Sequence, residues 1–193
     1  SDNPRLLPLI QGIVKPEHIE LEFENLSASK LFFRNLAEGM KPHVSEMSIS
    51  ETLLARERKD LFGEGRWDWS PIPIFLSRGL FWSDIYVNNR SGIHSFGDLK
   101  GKKISIPDYG MTAALWFRIL LKDLYGIEAR DNVWYQNRTK EMSHAGMVGL
   151  DRDGHGVAKG VTLHFLPVEQ AADILLDRGE IDASFPFRTA EGV

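Results

Sequence analysis

The sequence predicts an α/β protein of two lobes, each with a mostly parallel sheet flanked by helices. Three observations predict it. Strand-like and helix-like runs alternate along most of the 193 residues. A polar joint, "NNRSGIHSFGD" at residues 88–98, divides that alternation in two. Residues 105–127, "SIPDYGMTAALWFRILLKDLYGI", read as strand, small-residue turn and long helix, the arrangement by which α/β proteins present free backbone N–H groups to an anion.

Taken in order, "HIELEFEN" (18–25) sets Ile19, Leu21 and Phe23 against Glu20, Glu22 and Glu24, the period-2 pattern of a half-buried strand. "SASKLFFRNLAEG" (27–39) follows as a helix with Leu31, Phe32 and Leu36 inward and Gly39 near its end. "HVSEMS" (43–48) has the look of a short strand. "SETLLARERKD" (50–60) returns to helix, with Ser50 as N-cap and Glu51 in the first turn. Pro71 and Pro73 hold "WSPIPIFLSRG" (69–79) extended, and "SDIYVNN" (83–89) is extended too. Beyond the joint come a strand "KKISIP" (102–107), a helix from about residue 111 to 125 closed by Gly126, and a strand "NVWYQN" (132–137). Residues 137–160 are rich in glycine and charge and read as a long loop. "VTLHFLP" (161–167), "VEQAADILLDRG" (168–179) and "EIDASF" (180–185) complete a strand, helix and strand. The first lobe is therefore expected over 1–88, with 187–193 returning toward it, and the second over 89–186.

Composition narrows the function. Hydrophobic residues make up 42% and charged residues 26%, ordinary for a globular chain. A net charge of −4 without a basic run gives no reason to expect nucleic acid. No segment reaches the roughly 18 apolar residues of a membrane span. The absence of cysteine excludes disulfides and thiolate chemistry. The histidines, at 18, 43, 94, 144, 155 and 164, form no metal-binding spacing such as H-E-x-x-H. "DRDGHG" (151–156) resembles a calcium loop, but Thr162 falls where the bidentate glutamate belongs, so it reads as a Gly-rich turn. Nucleotide-binding glycine loops and the G-x-S-x-G elbow are absent.

In parallel sheets ligands sit beyond the carboxyl ends of strands, at helix N-termini. The 108–112 turn is placed there. A helix beginning near Met111 leaves the N–H groups of Met111, Thr112 and Ala113 without intrahelical partners. Thr112 adds a hydroxyl, Gly110 permits close approach, and Tyr109 offers a ring and a phenol. The helix dipole favours an anion there by about 0.3–1 kcal/mol. The alternative is a self-capped helix start with no ligand. Ser77 and Arg78 follow the strand "IPIF", and an arginine fork suits a carboxylate; the alternative is a solvated surface arginine. Glu46, Ser48 and Ser50 follow "HVSEM" and can line the same cleft, Glu46 as acid or acceptor, Ser48 or Ser50 equally as helix caps. His144 and His155 lie in the long loop, where they reach a ligand only if it folds over the cleft.

Two phrases carry a resemblance. "SFGDLKGKKISIPD" and, some seventy residues on, "ILLDRGEIDASFP" are similar to the paired signatures of type 2 periplasmic-binding-protein-like domains. "VSEMSIS", "IPIFLSRGLFWSDIYVN" and "IPDYGMTAALWFRILLKDLYGI" together resemble the 4,5-dihydroxyphthalate decarboxylase-like family and its solute-binding relatives, in that family's order. The resemblance implies a two-lobed fold, expected to be incomplete at both ends of this chain. It favours a carboxylate site at the 108–112 turn and a ligand role for Arg78. It places Arg188, in "FPFR", at the return crossing between lobes as a second clamp or hinge ion pair, and Asp2 and Arg5 near the end of a first strand.

Two functions follow from it. In one, the protein is a cofactor-independent carboxy-lyase, the cleft holding an aromatic (di)carboxylate. Glu46 or His144 then donates a proton to the ring carbon, Trp116 or Phe81 walls off the departing carboxylate, and the enzyme is cytoplasmic. In the other, a periplasmic or extracellular solute-binding protein captures a small acid for a transporter and transforms nothing.

Overall fold

The computed structural model describes residues 4–26, 30–31, 34–35, 42–57, 69–76, 85–140, 143–147, 157–167 and 170–185. They form a mixed α/β protein. The helices are α1 (Leu7–Ile10), α2 (Ile49–Glu57), α3 (Thr112–Tyr125), α4 (His144–Met147) and α5 (Ala172–Arg178). The strands are β1 (Tyr86–Val87), β2 (Lys103–Ile106), β3 (Val133–Gln136), β4 (Thr162–Phe165) and β5 (Ala183–Ser184). They make one five-stranded sheet in the order β1-β5-β2-β3-β4. β2 pairs in parallel with both β3 and β5, β3 with β4 in parallel, and only β1 runs antiparallel, against β5. The mostly parallel sheet expected for residues 89–186 is thus present, and β1, from the preceding segment, forms its edge.

β2 is the centre because its side chains suit two-sided burial. Ile104 and Ile106 are buried, Ile104 opposite Trp134 on β3 and Ala183 on β5. Onto this surface α3 lays Ala113, Ala114, Phe117 and Leu121, spaced as one helical stripe, while Trp116 and Ile119 face outward. Phe117 stacks on Phe185 and meets Trp134 edge-on. Gly126, at φ 66°, ends α3 where a side chain would be strained. α5 ends in the same way at Gly179, with Glu180 N–H donating to the Leu175 carbonyl and Gly179 N–H to that of Leu176. The polar joint then explains itself: Asn88 donates to the Leu176 and Asp177 carbonyls, and Arg90 donates to Asp177 O at 2.6 Å, covering the end of α5.

The two quoted signature phrases are local solutions to the same problem. Asp98 accepts from the His94 and Ser95 N–H groups at 3.0 and 2.8 Å and caps the turn Phe96–Leu99. Asp182 accepts from Lys103 N–H at 2.8 Å and so locks β5 to the start of β2. The His94 and Ser95 bonds hold the Asp98 carboxyl below its ordinary value of 3.8. A depressed carboxylate stabilises the fold above its unfolded value, and that contribution is lost as pH falls through the folded one. Asp98→Asn is therefore expected to be less stable than the parent at neutral pH. The gap should close below pH 3.8 in denaturant titrations repeated across pH; a constant gap would sink the assignment.

Three expectations are corrected. Residues 19–26 are irregular, with Ile19, Leu21 and Phe23 exposed at 64%, 42% and 47%. The alternation fits a strand, but no strand among the described residues lies beside it to complete a ladder. Residues 43–48 are likewise irregular. The loop expected over 137–160 contains α4. The helix expected over 27–39 is described only at four residues, and Phe32, Leu36 and Gly39 lie outside the described residues.

Candidate functional site

The site grows from the carboxyl ends of β2 and β3. As the two strands leave the sheet they stay together: Asn137 N–H donates to the Ile106 carbonyl at 3.1 Å and Arg138 N–H to that of Pro107 at 3.0 Å. Gln136, buried at the end of β3, accepts from Tyr109 N–H at 2.7 Å and donates to the Arg138 carbonyl at 3.2 Å. The turn after β2 is thereby fixed before α3 begins.

Asp108 is the pivot of that turn. It is fully buried, and its Oδ1 accepts from Gly110 N–H at 2.8 Å. Its Oδ2 accepts from His144 N–H at 2.8 Å and faces Arg138 Nη1 at 3.4 Å. One carboxylate thus joins the β2 turn, the β3 exit and α4. Tyr109 points the other way. Its ring lies in the core, edge-on to Trp134 and 3.7 Å beneath the Arg118 guanidinium, which donates to the Tyr109 carbonyl at 2.7 Å. Burial pushes the Tyr109 phenol up, Arg118 opposing; burial pulls the Arg118 guanidinium down, Tyr109 and Asp108 opposing. Gly110 and Met111 complete the turn, and Met111 N–H is engaged by the Asp108 carbonyl at 3.3 Å. The free N–H groups of the helix start therefore shift one residue along, to Thr112, Ala113 and Ala114.

α2 brings a second helix N-terminus to the same place. Thr112 Oγ1 lies 2.7 Å from Ser48 Oγ and 3.1 Å from Ser50 Oγ, and accepts from Ser50 N–H at 3.3 Å. Ser48 and Ser50 are themselves 2.9 Å apart. Ser48 immediately precedes α2, and its carbonyl accepts from Thr52 N–H at 3.0 Å. Two helices of nine and fourteen residues thus point positive ends at three hydroxyls. Trp116, one turn along the Thr112 face, is 45% exposed.

Beside the hydroxyls, α2 supplies Glu51. Its carboxylate is completely buried and stands 2.8 Å from His144 Nε2, itself 2.8 Å from Arg138 Nη1. His144 is held by a tight α4 in which Gly146 N–H donates to Ser143 Oγ at 2.8 Å and Ser143 Oγ donates to the Lys140 carbonyl at 2.8 Å.

Of the residues proposed from sequence, Ser48, Gly110, Met111, Thr112 and His144 gather around this turn, and Tyr109 turns its ring into the core. The Glu46 carbonyl accepts from Asn35 Nδ2 at 3.4 Å and from Ser45 Oγ at 3.2 Å. Ser77, Arg78, Phe81, His155, Asp2 and Arg188 lie outside the described residues. Arg5 donates to the Leu76 carbonyl, just before Ser77. Sequence reasoning missed Asp108, Arg138 and Glu51 as a cluster. The signal for Asp108 was present, an aspartate two residues before a glycine at a strand end; for Glu51 and Arg138 there was none, since their meeting is purely tertiary. No group of three or more metal-ligating side chains occurs among the described residues. None of the described helices is long and apolar enough to cross a membrane.

Fold and site together define an α/β protein with a mostly parallel sheet, hydroxyls and helix N-termini gathered at its carboxyl edge, and a buried histidine beside them. The sequence is 30% identical over 178 residues to a 4,5-dihydroxyphthalate decarboxylase of Comamonas testosteroni, covering 92% of this chain and 50% of that protein. It is 27% identical over 179 residues to a protein of the same name from Pseudomonas putida, covering 93% of this chain and 65% of that protein. Both relatives bear out the family resemblance read from the motifs, and the chain spans between half and two thirds of their length. No family model matches the chain.

Proposed function

We propose that this protein binds a small aromatic dicarboxylate and removes one carboxylate as carbon dioxide, without oxidation, from an acid of the 4,5-dihydroxyphthalate type. The observation that carries this reading is the junction of Ser48, Ser50 and Thr112, where two helix N-termini meet beside a buried histidine. Helix ends and hydroxyls suit a carboxylate that stays bound, and an imidazole suits the proton that must replace the one that leaves. The names of the two relatives support the same chemistry.

In this proposal residues 1–88, with 187–193 returning, form one lobe of a type 2 periplasmic-binding-protein-like fold and residues 89–186 the other, with the ligand in the cleft between them. Ser48 and Thr112, one from each segment, approach to 2.7 Å, a contact that supports putting the cleft floor there. Ser77 with Arg78, and Arg188, complete the clamp, and His144 is the proton donor with Glu46 as the second candidate. A hydroxyl para to the departing carboxylate delocalises the developing charge, so the ring itself can serve as the electron sink.

The test uses the full-length protein with 4,5-dihydroxyphthalate and other aromatic ortho-dicarboxylates, following binding by calorimetry and carbon dioxide release together. Release supports the proposal. Binding without release replaces it with the solute-binding reading, and neither binding nor release removes both. Thr112→Val keeps the side-chain shape and deletes the hydroxyl. It is expected to weaken binding about tenfold, the value of one hydrogen bond to a charged group. Unchanged affinity would take the hydroxyl junction out of the ligand site.

A further inference from the structure

Three arginines among the described residues are buried or half-buried: Arg34, Arg118 and Arg138. Two of them face a carboxylate, Arg34 that of Glu24 and Arg138 that of Asp108 at 3.4 Å. Arg118 has no ion-pair partner among the described residues. Its contacts are neutral: the Tyr109 ring 3.7 Å from the guanidinium carbon, the Trp134 ring at 6.0 Å and the Tyr109 carbonyl at 2.7 Å.

The place is a poor one for a cation on two counts. Burial pulls the guanidinium down, with Tyr109 and then Asp108 opposing, and the Asp108 oxygens are already taken by Gly110, His144 and Arg138. The side chain also runs back along α3 to the turn before it, so the charge sits at the end where the helix dipole repels a cation. A methionine would pack there without the cost of a buried charge.

What the charge brings is an open edge. A contact at 3.7 Å engages the flat face of the guanidinium, whose N–H donors lie in its plane. Nη1 uses one of them on Tyr109; Nε and Nη2 have no partner among the described residues, and neither is fully buried. Those two nitrogens form the side of the fork that takes a carboxylate by two parallel bonds. The edge stands at the carboxyl end of β2, on the turn that also carries Thr112. Residues 112 and 118 lie about 120° apart around the helix axis, so hydroxyls and guanidinium flank the start of α3 from two sides.

We propose that Arg118 is a ligand-binding residue: its Nε–Nη2 edge takes the carboxylate that the acid keeps, and Tyr109 holds the guanidinium flat for it. The inference rests on the reading above, that an aromatic dicarboxylate binds at this turn. It adds a full positive charge to a site otherwise made of hydroxyls and helix ends.

The experiment is calorimetric titration of the full-length protein with 4,5-dihydroxyphthalate and with its neutral diamide, in the parent and in Arg118→Met. Methionine keeps an apolar stem and drops the charge. The acid should bind Arg118→Met about 10- to 100-fold more weakly than the parent, the size of a hydrogen bond to a charged group. The diamide should lose much less, so that the preference for the acid falls at least about fivefold, because charge-assisted bonds are the stronger kind. A merely structural arginine would weaken both ligands alike; that result overturns the inference, as does an unchanged affinity for the acid. Should Arg118→Met not fold, Arg118→Lys, which keeps the charge but has no fork, is titrated in its place. A weakened acid with an unmoved diamide supports the inference, and an unmoved acid overturns it. If the parent binds the acid and releases no carbon dioxide, the decarboxylation reading fails, while the two affinities still decide Arg118. If the parent does not bind the acid, the carboxylate site and the inference fall together.

Discussion

Asp108→Ala is expected to lower stability by about 3–5 kcal/mol, the scale of breaking a buried charged pair by removing one partner. The size follows from what the carboxylate holds. Two backbone donors, Gly110 and His144, lose their acceptor, and Arg138 loses a counter-charge. An orphaned buried N–H alone costs about 1–3 kcal/mol. Asp108→Asn keeps one oxygen as acceptor and should lose less, about 1.5–3 kcal/mol, as for one hydrogen bond to a charged group. Guanidinium unfolding of both variants checks the order. A double-mutant cycle with Arg138→Met isolates the pair, and a coupling above about 0.5 kcal/mol is expected for neighbours in one network. If Asp108→Ala unfolded within about 1 kcal/mol of the parent, the effect of an ordinary substitution, the turn would not depend on this carboxylate.

Gly146→Ala should be nearly as damaging although it adds only a methyl group. A Cβ built there falls 1.6 Å from the Lys140 carbonyl oxygen and 2.9 Å from Ser143 Oγ. The serine hydroxyl can rotate away; a backbone carbonyl cannot. α4 must then move, at about 3 kcal/mol, the upper end of ordinary overpacking. His144 moves with it, so its separation from Glu51 should widen from 2.8 Å. Thermal unfolding reads the loss of stability. A variant as stable as the parent would mean that the close approach at Gly146 does not exist in solution.

These two residues also show how legibility in a sequence works. β2, the turn after it and α3 were readable because each is specified locally: a short β-branched run, a proline, an aspartate–glycine turn, a helical stripe and a closing glycine. α4 was hidden because four residues carry no period. Its geometry comes from Ser143, Lys140 and the missing side chain of Gly146. Glu51 was legible as a first-turn acid, which is a sufficient reason for glutamate at a helix start, and that local reason concealed the tertiary one. "HIELEFEN" failed the other way. Alternation reports which side chains would suit a half-buried strand, but a strand also needs a neighbour, and that neighbour is not written in the segment itself.

The position of β2 in the sheet has a consequence for how the chain must be made. β2 is synthesised early in this half of the sequence, yet one of its two neighbours, β5, is joined to it by Lys103 and Asp182, 79 residues apart. Until β5 emerges, the central strand of the sheet has one edge open, with unpaired amides beside the buried Ile104 and Ile106. Nascent chains halted between β4 and β5 should therefore bind chaperones and aggregate, whereas chains released after β5 should not. Proteostasis, rather than chemistry, places this demand on the aspartate at 182.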